Sequence, residues 1–288
     1  MNTTWFDTPR GPIFARTYGD PALPRLLMLH GFPEYSGAFA DLAPLLAHRY
    51  HCIAPDQRGY GQTGGPDDVA AYTTSKLVAD MTAVIGDEPV TVFGHDWGAA
   101  VAYGLAMFQP ALVDRLIIAN GVHPVPFQRA MAAGGAQSKA SQYINALRAD
   151  GSENWLAENG FERLLKLFSA KMDLDWLTPE KRADYLKAWG TPARLKTMIH
   201  WYRASPLVVA DPGAPVDMPA LPLDKLVVTQ PHLLLWGTGD TALLPDATEG
   251  LEDFAPNLTR VDITGADHWL AHQKPQEMAD AILAWAGS

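Results

Sequence analysis

Six short, almost uninterrupted apolar runs punctuate the chain: RLLMLHG (25–31), YHCIAPD (50–56), VTVFGHD (90–96), LIIAN (116–120), HLLLWG (232–237) and TRVDIT (259–264). A strand covered by helices on both faces loses the polar–apolar alternation of a half-exposed one. Such runs therefore predict a mostly parallel sheet flanked by helices. The segments AFADLAPLLAHR, TSKLVADMTAVI and GAAVAYGLAMF carry apolar residues at helical spacing and complete an α/β pattern. The opening TTWFDTPRGPIFARTYG reads instead as a hairpin turning at Arg10-Gly11-Pro12.

The rhythm stops after Asn120 and resumes near Leu233. The stretch between is rich in tryptophan, tyrosine and leucine at helical spacing. It is bordered by HPVPFQ and by SPLVVADPGAPVDMPALP, whose prolines deny helix continuation and ladder hydrogen bonds. The expectation is an α/β core over 1–125 and 223–288 with an inserted helical cap over 126–222. With 288 residues, 48 % hydrophobic and 19 % charged, the chain can bury a sizeable core. A formal net charge of −10 without any run of lysine or arginine argues against nucleic acid as a partner. The longest apolar stretch, AAVAYGLAMF (99–108), falls short of the roughly 20 residues a bilayer span needs, so no membrane insertion is expected. MNTTWFDTPR lacks the basic and apolar segments of a leader, and the one cysteine, Cys52, sits in an apolar run as a packed thiol would. Both features suit a cytoplasmic protein. The apolar cap would also suit a homodimer, although no self-complementary signature marks one.

VFGHDWGAA (92–100) carries the chemistry. Gly94, His95, Asp96, Trp97 and Gly98 match the strand–elbow–helix spacing Gly-x-nucleophile-x-Gly, with Asp96 at the apex and Ala99 and Ala100 small enough for close helix packing. The bland alternative makes Asp96 a helix N-cap. HGFP (30–33) ends an earlier strand and can aim the Phe32 amide at the same point as the Trp97 amide, a pair that would form an oxyanion hole. Pro33 is a candidate for unusual backbone geometry, and with His30 it is assigned to the substrate pocket. His30 and His95 are also expected to brace their loops. His268, in TGADHWLAHQKP after the last strand, is the candidate base, and Asp240, ending HLLLWGTGD, is the carboxylate best placed to orient it. Asp246 and Asp267 are weaker candidates. His272 lies four residues beyond His268, but no glutamate follows His268 as a zincin motif requires, so no metal is expected.

The motifs HGFPE, DQRGYGQT, GHDWGAAVAY, WYRAS, LLLWGTGD and DHWLAHQKP cover nearly the whole chain. In this order they resemble the α/β-hydrolase family, specifically its epoxide hydrolase branch. The resemblance implies Asp96 as nucleophile, His268 as water-activating base, Asp240 as its orienting acid, and Phe32 and Trp97 as oxyanion-hole donors. It also implies two cap tyrosines on the epoxide oxygen. Tyr202 in HWYRAS matches the family's Trp-Tyr-Arg segment. Tyr143 matches by its place near the start of the cap and its distance from Gly151, with Tyr185 as a weaker substitute. Asp267 stands where these enzymes commonly have glycine, and His272 where a glutamine or another polar residue is usual.

A serine attacking saturated carbon would leave an ether that water cannot readily cleave, whereas an aspartate leaves an alkyl ester. An aspartate at the elbow therefore suits displacement at carbon followed by ester hydrolysis. Opening a small apolar epoxide with water fits that scheme, and so does displacing a halide. A departing alkoxide needs a proton donor such as tyrosine. A halide needs only N–H donors, one of which Trp97 could supply, although Phe32 occupies the position where haloalkane dehalogenases commonly have asparagine. Haloacetate enzymes usually follow the nucleophile with arginine, not with tryptophan. A non-catalytic small-ligand receptor on the same scaffold is the reading of another class. No cofactor is implied.

Overall fold

A computed structural model describes residues 1–169 and 172–287. Eight strands, β1 (Asn2–Phe6), β2 (Ile13–Tyr18), β3 (Arg25–Leu29), β4 (His51–Pro55), β5 (Val90–His95), β6 (Val113–Ala119), β7 (His232–Gly237) and β8 (Leu258–Ile263), form one sheet in the order β1-β2-β4-β3-β5-β6-β7-β8. All six apolar runs are strands, and the opening segment is the β1–β2 hairpin, antiparallel to β4; the other pairings are parallel. β6 starts at Val113, earlier than its apolar run, because the charged Asp114 and Arg115 lie at the strand's outer end.

Side chains alternate between the two faces. Leu27, Leu29, Val92, Leu116, Ile118, Leu234 and Trp236 join one core with helices α2 (Thr74–Ile85) and α3 (Trp97–Phe108). Leu26, Met28, Phe93, Ile117, Leu233 and Leu235 join the other with Leu46 of a short helix over Ala43–Leu46 and with Met278, Ala279 and Ile282 of the C-terminal helix Pro275–Ala286. The short helix is α1. The fold is thus an α/β-hydrolase sheet, with β5 central and buried on both faces.

Between β6 and β7 lie α4 (Pro124–Ala132), α5 (Ala136–Ala140), α6 (Gln142–Arg148), α7 (Ser152–Ser169), α8 (Pro179–Trp189) and α9 (Pro192–Ala204). The border expected at 126 falls inside α4. Pro124 opens that helix, since a proline at the first helical position has no amide to leave unsatisfied, and His123 Nδ1 accepts from Val125 N–H. Thr178 and Thr191 cap α8 and α9 in the same way, each followed by proline. α7 is broken at Glu158–Phe161, where Asn159, Gly160 and Phe161 have positive φ.

Two buried tryptophans hold these helices to the sheet domain. Trp189 Nε1–H donates to Pro33 O at 2.6 Å and Trp201 Nε1–H to Arg58 O at 2.8 Å. Each ring buries a large apolar area while its one polar atom finds an acceptor. Trp155 is exposed, with Arg163 over its ring. None of the described helices is long and apolar enough to cross a membrane.

The position of α3 depends on glycine at its first turn. A Cβ on Gly98 would overlap the Leu29 carbonyl, and one on Gly94 would lie 2.7 Å from Ala99 Cα. Gly98→Ala is therefore expected to lower the unfolding free energy in urea by about 2 kcal/mol or more through overpacking. An unchanged midpoint would show that α3 can step away from β3 at no cost.

Candidate active site

Asp96 joins β5 to α3 with φ 50 and ψ −120, a backbone region that non-glycine residues seldom occupy. Its side chain makes no capping hydrogen bond to α3, so the N-cap alternative fails. Instead Oδ1 accepts from Phe32 N–H at 2.7 Å. The loop that brings Phe32 so close requires Gly31, where a Cβ would overlap the Asp96 carboxylate. The Phe32–Pro33 peptide is cis.

His268 and Asp240 meet this carboxylate from the loops after β8 and β7. His268 Nδ1 lies 2.7 Å from Asp240 Oδ2, and its Nε2 lies 3.7 Å from Asp96 Oδ2. Asp240 cannot turn away. Oδ1 accepts from Ala242 and Leu243 N–H at 2.8 and 2.9 Å, and Oδ2 accepts from Asn120 Nδ2 at 2.7 Å. Asn120 is pinned in turn, its Oδ1 accepting from Gly237 N–H at 2.6 Å. Burial disfavours charge on Asp240, but the neighbouring His268 and these hydrogen bonds outweigh it and hold the pKa below the ordinary carboxylate value. Burial likewise opposes protonation of His268, yet Asp240 and Asp96 prevail and raise its pKa well above the usual histidine value.

The other carboxylates considered for this role face elsewhere. Asp267 accepts from Trp269 N–H and Asp173 N–H, and Asp246 Oδ2 accepts from Gln137 N–H. His30 is fully buried behind the Phe32 loop, its Nδ1 3.0 Å from Gly31 O and its Nε2 accepting from Gln57 N–H. It braces the loop and does not line either cavity at Asp96, whereas Pro33 lines one of them.

Those cavities meet at Asp96, Tyr143 and Tyr202, which line both. The front one, about 440 Å³, is walled by Phe32, Pro33, Phe168, His268 and Trp269. The back one, about 330 Å³, runs beneath α4 and α6. The Tyr202 ring packs edge-on against Phe32, Trp97 and Tyr143, at 5.1, 5.0 and 6.2 Å between centroids. Burial, reinforced by nearby Asp96, raises the pKa of both tyrosines, so both hydroxyls keep their protons near neutral pH.

Tyr185 lines neither cavity. It belongs to a second buried network that spacing in the sequence did not reveal. Glu34 Oε1 accepts from Tyr185 Oη at 3.0 Å and faces His272 Nε2 at 2.9 Å, while Oε2 faces His95 Nδ1 at 2.9 Å. His95 Nε2 reaches the backbone oxygen of His268 at 2.8 Å. His272 lies flat on Trp176, 3.8 Å between centroids. Burial opposes charge on Glu34, but the two histidines outweigh it and hold its pKa well below the usual value. This network ties α8 to the loop carrying His268. Among the described residues no group of three or more His, Cys, Asp or Glu side chains could hold a metal ion.

Residues 24–275 match the α/β-hydrolase fold family. The chain is 32 % identical over 267 residues to the AB hydrolase superfamily protein YfhM of Bacillus subtilis (strain 168), covering 91 % of this chain and 90 % of that one. It is 29 % identical to epoxide hydrolase 2 of Caenorhabditis elegans, over 87 % of this chain and 70 % of the relative. Among solved structures, a novel epoxide hydrolase of the α/β-hydrolases superfamily from metagenomes of hot environments superposes with a TM-score of 0.89 at 33 % identity, covering 99 % and 98 % of the two chains. Bacillus megaterium epoxide hydrolase in complex with an inhibitor also gives 0.89, at 26 % identity, covering 99 % and 100 %. With its Asp–His–Asp geometry set on this sheet, the chain belongs to the α/β-hydrolase fold family, in its epoxide hydrolase branch.

Proposed function

We propose that this protein hydrolyses epoxides to vicinal diols through a covalent ester on Asp96. The observation that carries this reading is the division of labour at the Asp96 carboxylate: Oδ1 is held by the Phe32 amide, while Oδ2 faces the imidazole of His268 across 3.7 Å. Oδ2 is the attacking oxygen. As it bonds to an epoxide carbon, the C–O bond breaks and the developing alkoxide takes a proton from Tyr202 or Tyr143. The ester that forms keeps its carbonyl oxygen, Oδ1, at the Phe32 amide, with the Trp97 amide as second donor. The tyrosinate regains its proton from the imidazolium of His268, and water, losing a proton to the freed Nε2, then attacks Cγ of Asp96. The tetrahedral oxyanion is stabilised by the same amides, and collapse releases the diol and restores the carboxylate.

Electrostatics support this order of events. In the free enzyme two carboxylates favour the imidazolium of His268. Esterification removes the charge of Asp96 and with it that share of the upward shift, which eases loss of the imidazolium proton while Asp240 continues to hold the ring. The tyrosines, raised in pKa by burial, begin the cycle protonated and so enter it as donors.

Several measurements test the reading. In a single turnover in ¹⁸O-water with excess enzyme, the label is expected in the peptide containing Asp96; label passing straight into the diol excludes the ester. Asp96→Asn is expected to abolish turnover of styrene oxide, and a bromoalkane assayed for released halide separates epoxide opening from dehalogenation. Tyr202→Phe is expected to slow ester formation about 100-fold, in the range for one general acid, with hydrolysis of the preformed ester unchanged. Because a nearby anion favours the imidazolium, replacing Asp96 by neutral asparagine is expected to lower the pKa of His268 in an imidazole NMR titration. An unshifted titration would contradict the proposed coupling.

A further inference from the structure

The corner between α8 and α9 is tight. Gly190 ends α8 with φ 64 and Thr191 and Pro192 start α9 at once, so Lys187 in the last turn of one helix lies near Arg194 in the first turn of the next. Opposite them β2 presents Arg16, and the loop after β4 presents Asp56, Gly61 and Gln62. Together with Tyr35, Asp184 and Thr191 these residues line a cavity of about 390 Å³ between the sheet and the two helices. It shares no lining residue with the cavities at Asp96, and no lysine or arginine lines those.

Several polar groups at this corner lack partners. On the same two helices Lys181 pairs with Asp41 and Lys196 with Asp67, yet among the described residues Arg16, Lys187 and Arg194 take part in no ion pair. Arg16 Nε is buried without a hydrogen-bond acceptor, while its guanidinium is steadied over the Tyr35 ring, 5.3 Å from the centroid. Tyr35 is only 8 % exposed, and its hydroxyl has no hydrogen-bond partner among the described residues. A buried donor without an acceptor costs free energy that a ligand oxygen can recover.

The two carboxylates in the lining oppose an anion unequally. Asp56 is already engaged, its Oδ1 accepting from Ser36 N–H at 2.8 Å and its Oδ2 from Gln62 N–H at 2.7 Å. Asp184 is exposed, and solvent screens it. Thr191 Oγ1 accepts from Arg194 N–H, which leaves its O–H free to donate. Two guanidiniums, an ammonium and two hydroxyls offer more donors than the two oxygens of a carboxylate can accept, whereas a phosphate group presents three terminal oxygens to arginine forks.

We propose that this cavity binds a small phosphate-bearing anion, held from the sheet by Arg16 and from the helical corner by Lys187 and Arg194. The bound anion cross-links α8 and α9 to the sheet beside Trp189, whose indole already donates to Pro33 O. Its binding is independent of the chemistry at Asp96.

The test is isothermal titration calorimetry of the full chain with inorganic phosphate, at an ionic strength fixed by sodium chloride. Saturable binding at a single site is expected. Lys187→Gln and Arg194→Gln are each expected to weaken it about tenfold or more, the range for losing a charge-assisted hydrogen bond. Neither side chain is in an ion pair, so both variants are expected to melt like the parent chain when phosphate is absent. Asp184→Asn removes a like charge and is expected to tighten binding. Glycerol 3-phosphate separates two sources of the group: affinity at least equal to that of phosphate assigns the site to a phosphate monoester, and binding of phosphate alone assigns it to the free ion. No saturable binding of either anion, an affinity unchanged in both cation variants, or weaker binding by Asp184→Asn overturns the inference.

Discussion

The close approach of α3 to β3 and β5 is the constraint on which the site depends. Without side chains at Gly94 and Gly98 the helix can start immediately after the strand, and Asp96, midway between them, is forced above the sheet into a positive-φ conformation. The backbone strain is held there by the packing around it. Neighbouring groups then have no choice of partner: the Phe32 amide meets one oxygen of the raised carboxylate, and His268 faces the other. Serine at the same apex would meet the same amide. The carboxylate changes the chemistry available, since it can bond to carbon and later be released by attack on its own carbonyl.

Around this apex the protein surrounds its charges with fixed donors. Asp240 accepts from two backbone amides and from Asn120, and Glu34 is shared by His95, His272 and Tyr185. Both carboxylates stay ionised in the interior because every hydrogen bond to them favours the charged form. His95 links the two systems, touching Glu34 with one nitrogen and the His268 backbone with the other.

The strands, the elbow and the Asp–His–Asp set were legible because each depends on local pattern: apolar runs, glycine spacing, and loops at the ends of strands. What escaped reading depends on encounters between distant segments. Asn120 and Asp240 lie 120 positions apart, and Glu34 and His272 lie 238 apart, so no spacing rule could pair them. His30 had the composition of a pocket residue but sits one layer too deep, since its nitrogens serve the loop backbone. The proline that seemed to end the core opened a helix, because proline disrupts a helix interior yet suits a first turn.

The indole of Trp189 hangs from the carbonyl of Pro33, one residue beyond the amide that grips Asp96. Helix α8 and the loop that meets Asp96 thus share one hydrogen bond, so a displacement of either is felt by the other.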